Sequence, residues 1–96
     1  MYTKKHFYVI AYDIADDRRR QKIVKVLEAI GARINWSVFE CMLTPLQIEK
    51  VKVELNSLIK AKEDTIAIYP VCKECFSKVE YFPKTRRNKA KKICVV

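Results

Sequence analysis

An apolar run of six residues, from Phe7 to Tyr12, ends abruptly at the carboxylate of Asp13. Its aromatic and β-branched residues predict a buried β-strand. Successive side chains of a strand point to opposite faces of a sheet, and in this run both alternating sets are apolar. The strand therefore has to be covered on both faces, which constrains the fold more than any other segment of the chain.

Asp13, at the end of this strand, has two interpretations. A strand end is a rigid place to hold a charged ligand, so Asp13 is a candidate metal-binding and catalytic residue. Aspartate also begins turns and caps helices, and the strand could end there for that reason alone. We assign the following acids, Asp16 and Asp17, to the start of a helix, where acidic side chains face the positive end of the helix dipole.

The charge of the chain indicates a polyanionic partner. The formal net charge is +9; residues 1–83 hold 14 basic and 11 acidic side chains, whereas residues 84–96 hold six basic and no acidic ones. Such an excess attracts nucleic acid, although a basic tail can also serve solubility alone. The candidate nucleic-acid-binding residues, which could hold phosphates, are Arg18, Arg19 and Arg20 beside Asp13, and Lys84, Arg86 and Arg87 in the tail.

Length and composition indicate one small domain, because 96 residues, half of them hydrophobic, can form a single core. No apolar run approaches the roughly 20 residues that span a bilayer, and the N-terminal residues lack a signal-peptide pattern. We therefore expect a cytoplasmic protein without a membrane partner, and we expect its four cysteines to be reduced. With one glycine, the chain cannot contain a glycine-rich phosphate loop.

Hydrophobic periodicity predicts a helix, a strand region and a second helix in the middle of the chain. The first helix covers about 17–30, with Gly31 as its left-handed C-cap. The segment 32–43 is typical of two strands, or of one long bent strand, with a break near 36–37. Thr44, Pro45 and Gln47 then combine three helix-start signals and predict a helix that ends near Lys60.

Two further segments have strand character. Residues 65–69 form an apolar run, and Pro70 either halts this strand or confines it to the edge of a sheet. Residues 79–82 could add a short strand before the tail.

The element order β-α-β-β-α-β predicts a ferredoxin-like α+β sandwich, with one antiparallel sheet, both helices on one face and an optional C-terminal fifth strand. We expect residues 1–83 to form this single domain and residues 84–96 to form a basic C-terminal tail. A second copy of the chain, joined through the open sheet face or through the terminal strands, would account for the apolar first strand, so we expect a homodimer. In a twofold dimer Asp13 is present twice, and the two carboxylates could surround one Mg²⁺.

Cys72 and Cys75 have the spacing of half a zinc knuckle, but Cys41, Cys94 and His6 do not repeat that spacing. A structural zinc normally takes four ligands. A zinc site, a redox pair and an ordinary pair of loop thiols all remain open, and His6 is interpreted as a surface residue at a strand start.

Four aromatic residues lie in predicted strands or turns. They could stack on bases, as in proteins that bind single strands, or they could belong to the core or to dimer contacts. They are Tyr12, Trp36, Phe39 and Tyr69.

Four stretches of the chain occur in a characteristic order and spacing: Tyr12 to Arg20, Ser37 to Glu40, Thr44-Pro45, and Ile68 to Cys75. In these stretches the chain resembles the small CRISPR-associated adaptation proteins, which are the partners of the CRISPR integrase in spacer acquisition and include proteins described as endoribonucleases. The resemblance implies a ferredoxin-like homodimer with Asp13 as the metal-binding aspartate, one from each subunit. It also implies a C-terminal strand that can join the partner's sheet.

Two functions are compatible with this resemblance. The first is a metal-dependent endonuclease, with Mg²⁺ or Mn²⁺, that hydrolyses phosphodiester bonds of RNA or DNA. The alternative is a non-catalytic scaffold subunit that holds duplex DNA for the integrase. Asp13 is essential to the first function, and the basic clusters are essential to the second.

Overall fold

The apolar run that ends at Asp13 forms the first strand of the sheet. The computed structural model describes residues 4–82. The predictions made for Lys84, Arg86, Arg87 and the rest of the tail lie outside these residues. The elements are β1 (His6–Asp13), α1 (Asp17–Glu28), β2 (Gly31–Asn35), β3 (Val38–Leu43), α2 (Pro45–Leu58), β4 (Thr65–Val71) and α3 (Lys73–Ser77).

The four strands form one antiparallel sheet in the order β2-β3-β1-β4. This order and the two helices confirm the predicted ferredoxin-like α+β fold. Pro70 lies within β4, opposite Tyr8, and β4 is an edge strand, where a residue without a backbone N–H is tolerated. The segment 31–43 forms two strands joined at Trp36-Ser37, the first of the two predicted arrangements.

The core lies between the sheet and the helices. One face of β1 packs Ile10 and Tyr12 against Ile23 and Leu27 of α1, and Leu55 of α2 completes the same cluster. None of the helices within residues 4–82 is long and apolar enough to cross a membrane.

The two long helices begin at the predicted caps. The Asp16 side chain accepts a hydrogen bond from the backbone N–H of Arg19, which lowers the pKa of Asp16 and confirms its helix-start role. Thr44 and Gln47 form a reciprocal capping box, with distances of 3.2 Å and 2.8 Å, and Pro45 is the first helical residue. Side-chain chemistry close in sequence therefore fixes both helix starts.

Gly31 has a different role from the one predicted. The C-cap of α1 is Ala29, with right-handed φ and ψ of −73° and −20°, and Gly31 opens β2. A Cβ on Gly31 would lie 2.5 Å from the Glu40 carbonyl oxygen and 2.9 Å from the Cys41 Cβ. The left-handed cap was therefore a wrong prediction, and glycine is needed here because β3 passes too close for a side chain.

The end of the described chain also differs from the prediction. Residues 79–82 do not form a strand; instead, a short helix, α3, follows β4 directly. The Phe76 ring of α3 lies 4.4 Å from the Phe7 ring of β1, so α3 covers one end of the sheet face that α1 and α2 leave open. A helix of five residues is too short to give a periodic apolar pattern, which explains why the sequence did not reveal it.

Candidate functional site

Asp13 is the last residue of β1, opposite Thr65 at the start of β4, and its side chain is exposed. It lines a cleft of about 400 Å³, a volume within the range of small-ligand sites. The cleft is formed where β1, α1 and the β2–β3 turn meet, by Tyr12, Asp13, Ile14, Arg20, Trp36 and Ser37. The fold thus places the predicted metal-binding residue in a concave site.

The β2–β3 turn is tied to the end of β1 by hydrogen bonds. The Tyr12 backbone N–H donates to the Ser37 carbonyl at 3.0 Å, and the Tyr12 hydroxyl donates to the Trp36 carbonyl at 2.9 Å. Arg33 donates to the same Trp36 carbonyl at 3.1 Å. These bonds hold Trp36 next to Asp13.

The Trp36 side chain is 75% exposed, although its ring carries one close contact: the Arg33 guanidinium lies 5.6 Å from the ring centroid. This contact is a cation–π interaction and restrains the indole. Of the other aromatic candidates, Tyr12 and Phe39 are core residues, and Tyr69 is 55% exposed on β4. Trp36 is therefore the candidate that lies in the Asp13 cleft with an accessible ring.

Arg20 projects from α1 into the cleft. Its Nη2 donates to the Ile14 carbonyl at 3.0 Å, and its Nη1 pairs with Asp17 one helical turn back. Because a guanidinium has five donors, Arg20 keeps donors for a further anion while its position is fixed by these two bonds. Asp17 thereby orients a cation at the site in addition to its place in the first turn of α1.

Arg19 points away from the cleft and forms an internal network. Its Nε lies 2.8 Å from Asp64 Oδ2, and its Nη2 lies 2.8 Å from Glu63 Oε1. Asp64 is buried and also accepts from the backbone N–H groups of Ala15 and Lys60. The Arg19 bond is the main cause of the strongly lowered Asp64 pKa, and Asp64 in turn raises the pKa of Arg19. Arg19 is thus part of the scaffold behind the site.

The Asp13 carboxylate differs from the other acids at this end of the sheet. Asp64 and Glu63 pair with Arg19, and Asp17 pairs with Arg20. Within residues 4–82, the Asp13 carboxylate makes neither a hydrogen bond nor an ion pair. The same residues contain no group of three or more histidine, cysteine or acidic side chains that could enclose a metal ion.

A cationic stripe runs along the exposed side of α1. Arg18, Lys22 and Lys25 are all exposed, at spacings of four and three residues that place them on one helix face. The stripe therefore presents three positive charges to solvent, on the helix that supplies Arg20 to the cleft.

The open face of the sheet carries a buried acid that no sequence pattern predicted. Glu40 of β3 is 6% exposed, and the Tyr81 hydroxyl donates to its Oε1 at 2.6 Å. Burial raises the pKa of Glu40, and the hydrogen bond from Tyr81 opposes this increase. The contact joins residues 41 positions apart, so no local pattern predicts it.

Fold and site together define a small ferredoxin-like protein that presents a strand-end carboxylate beside cationic and aromatic side chains. The chain belongs to the CRISPR associated protein Cas2 family, whose model matches residues 6–79. Membership confirms the family identified from the sequence stretches.

Three known proteins illustrate the similarity. A CRISPR-associated endoribonuclease Cas2 of Rhodospirillum rubrum is 47% identical over 68 residues, which are 71% of this chain and 55% of that relative, so the chain spans about half of its length. The crystal structure of Streptococcus pyogenes Cas2 at pH 6.5 is 28% identical, with a TM-score of 0.70 over 79% of this chain and 98% of the other. A chain of a partial Cas6-RT-Cas1–Cas2 complex is 26% identical, with a TM-score of 0.70 over 82% of this chain and 92% of that one.

Proposed function

We propose that this chain is a spacer-acquisition subunit that forms a homodimer, binds the CRISPR integrase and cleaves nucleic acid at the Asp13 cleft with the help of Mg²⁺. The observation that carries the proposal is the exposure of the Asp13 carboxylate and its lack of an ion-pair partner within residues 4–82. It is exposed in a cleft and makes no ion pair within residues 4–82, whereas its acidic neighbours are paired with arginines. A charged group held without a partner at a rigid strand end is available to a cation.

The chemistry of Asp13 fits a magnesium ion. Mg²⁺ takes oxygen ligands, keeps several waters and is commonly held by one or two carboxylates. One protomer would supply one Asp13 carboxylate, and a second protomer would supply another. Mn²⁺ accepts a similar set of ligands. The chemistry that such an ion supplies is Lewis-acid polarisation of the phosphate.

The other side chains of the cleft suit a nucleic-acid strand. Arg20 would donate to a phosphate from a position already fixed by Ile14 and Asp17. Trp36 would stack on a base next to that phosphate, because its ring is exposed and restrained. Positioning by these two side chains would hold the phosphate next to the Asp13 carboxylate.

The open sheet face supports the homodimer. Val9, Ala11 and Tyr69 lie on the face opposite the helical core; α3 covers the end of this face near Phe7, and Tyr81 contacts Glu40 on the same face. An apolar surface of this kind favours association with a second copy.

Cleavage of labelled RNA and DNA tests the proposal. With Mg²⁺ present, Asp13→Asn should lower the cleavage rate by roughly 100-fold or more, because it removes the metal-binding charge. Glu54→Gln is the matched control, since it removes one negative charge from the exposed side of α2. Sedimentation of both variants shows whether the dimer is intact. An Asp13→Asn dimer that cleaves at the unmodified rate, with the same metal dependence, would refute the assignment.

A second candidate function, a DNA-holding scaffold without turnover, is favoured by the exposed stripe of Arg18, Lys22 and Lys25. The similarity to a chain of a Cas1–Cas2 complex supports the same function. Here Asp13→Asn would leave duplex binding unchanged, whereas Arg18→Glu with Lys22→Glu would weaken it and reduce its salt dependence. Lys50→Glu with Lys52→Glu, on exposed positions of α2, is the matched charge control. If both double variants bind duplex DNA equally well, the exposed face of α1 is not the duplex-binding surface.

A further inference from the structure

The thiols of Cys72 and Cys75 lie together just after β4, far in sequence from Asp13. Both residues are exposed, and both are free thiols. Cys72 Sγ accepts a hydrogen bond from the backbone N–H of Cys75 at 3.3 Å. The C-x-x-C turn thus places two accessible thiols on one turn of the chain.

The two sulfurs are chemically unequal. Hydrogen bonds from the backbone N–H and the thiol of Cys75 lower the pKa of Cys72, and the same thiol contact raises the pKa of Cys75. The thiolate is the nucleophile of disulfide exchange, so Cys72 is the better attacking group. Cys41 offers a contrast, because it is buried in the core, where desolvation raises its pKa to about 12.

The surroundings of Cys72 are cationic. Cys72 lines a cleft of about 490 Å³ together with Lys4, Lys5 and Lys73, beside the apolar side chain of Phe76. The neighbouring acid, Glu74, is exposed and lies 3.5 Å from Lys78. A cleft of this size can admit a small molecule, and its charge favours one that carries carboxylates.

We propose that Cys72 and Cys75 form a redox-active dithiol that exchanges with an anionic low-molecular-weight disulfide, with Cys72 attacking and Cys75 resolving. The Cys72 thiolate attacks one sulfur of the small disulfide, whose S–S bond breaks and releases one small thiol. Cys75 then attacks the Cys72 sulfur of the mixed disulfide and releases the second small thiol. The two cysteines lose two electrons and two protons to form one S–S bond, and the small disulfide gains them as two thiols.

The experiment uses the full chain with Cys94→Ser, which leaves Cys41 as an internal control, and glutathione disulfide as the probe. After acid quenching and alkylation, mass spectrometry should find the peptide of Cys72 and Cys75 lighter by two hydrogens and Cys41 fully alkylated. Cys75→Ser should accumulate a glutathione adduct on Cys72. Cys72→Ser should react roughly 10-fold more slowly at Cys75, because the lowered thiol pKa is lost.

The lysines provide a test that leaves both thiols in place. Lys5→Glu with Lys73→Glu should slow the reaction with glutathione disulfide by roughly 10-fold and leave the reaction with neutral hydroxyethyl disulfide unchanged. Lys60→Glu with Lys62→Glu, outside this cleft, is the matched control.

Three results would overturn the proposal. The first is that both cysteines remain thiols in excess glutathione disulfide. The second is that the two single-cysteine variants react at equal rates. The third is that the purified chain carries zinc that protects both sulfurs until a chelator is added, which would assign the pair to a metal. None of these readouts depends on cleavage or binding of nucleic acid, so they are independent of the proposed function.

Discussion

Arg19 forms an ion pair with the buried Asp64, with Nε 2.8 Å from Oδ2, that joins the first turn of α1 to the turn before β4, 45 residues away. Asp64 accepts further hydrogen bonds from the backbone N–H groups of Ala15 and Lys60, at 3.0 Å and 2.8 Å. The network therefore fixes the loop that follows Asp13.

Asp64→Asn should lower the melting temperature by roughly 10 °C, because it leaves Arg19 without its buried charge partner. The pKa of Asp64 is lowered in the folded protein, so its contribution to stability is present above the ordinary value of 3.8 and is lost as the pH falls through the lower folded value. The variant should therefore show a flatter loss of stability below pH 3.8. Thermal melts across this range measure both effects.

Asp17→Asn is the control for this prediction, because Asp17 also pairs with an arginine but is 83% exposed. An exposed pair contributes little to stability, so the control should melt close to the unmodified protein. Equal melting temperatures for the two variants would show that the buried network does not stabilise the fold.

Glu40→Gln should change the pH dependence of stability in the opposite direction. Burial raises the Glu40 pKa above its ordinary value of 4.5, so the stabilising effect of the protonated side chain is present below pH 4.5 and is lost as the pH rises through the folded value. Glutamine stays neutral and can still accept from Tyr81, so the variant should melt roughly 3 °C higher at pH 8 and equally at pH 4. Glu80→Gln, on an exposed neighbour of Tyr81, should not change this profile.

The sequence predicted those features that depend on neighbouring residues. The Thr44 capping box, the Asp16 cap and the strand ending at Asp13 all follow from side chains within a few positions of one another. The contacts of Arg19 with Asp64 and of Glu40 with Tyr81 each join residues more than 40 positions apart, and no periodic pattern predicts them. The order of elements established that Asp13 stands at a strand end, but only the packing of the β2–β3 turn brings Trp36 beside it.

Gly31→Ala should destabilise the protein by about 1–3 kcal/mol, since the new methyl group would meet the Glu40 carbonyl at 2.5 Å and force β2 away from β3. Urea denaturation measures this loss. Lys62→Ala, in an exposed turn, serves as the control and should stay within about 0.5 kcal/mol of the unmodified protein. If Gly31→Ala is as stable as the control, β2 can move away from β3 without a loss of folding stability.

Trp36→Ala should weaken the binding of single-stranded RNA or DNA by roughly 5- to 100-fold, because it removes a stacking surface from the Asp13 cleft. Trp36→Phe should retain most of the affinity, since phenylalanine keeps an aromatic face. Fluorescence anisotropy with labelled oligonucleotides measures the binding. Leu46→Ala, which removes an exposed apolar side chain from α2, is the matched control, and equal affinities for it and Trp36→Ala would exclude stacking at this position.

If the proposed homodimer forms through the open sheet face, Tyr69→Glu should shift it to a monomer, because it places a charge on that face, where Tyr69 is 55% exposed and stands opposite Val9. Burying that carboxylate in an interface would cost far more than leaving it in water. Val53→Glu places the same charge on α2, at a side chain that is 72% exposed, and should leave the dimer intact. Sedimentation equilibrium at several concentrations measures the association. If Tyr69→Glu associates as strongly as Val53→Glu, the open face of the sheet is not the dimer interface, and the two Asp13 carboxylates cannot be brought together by that surface.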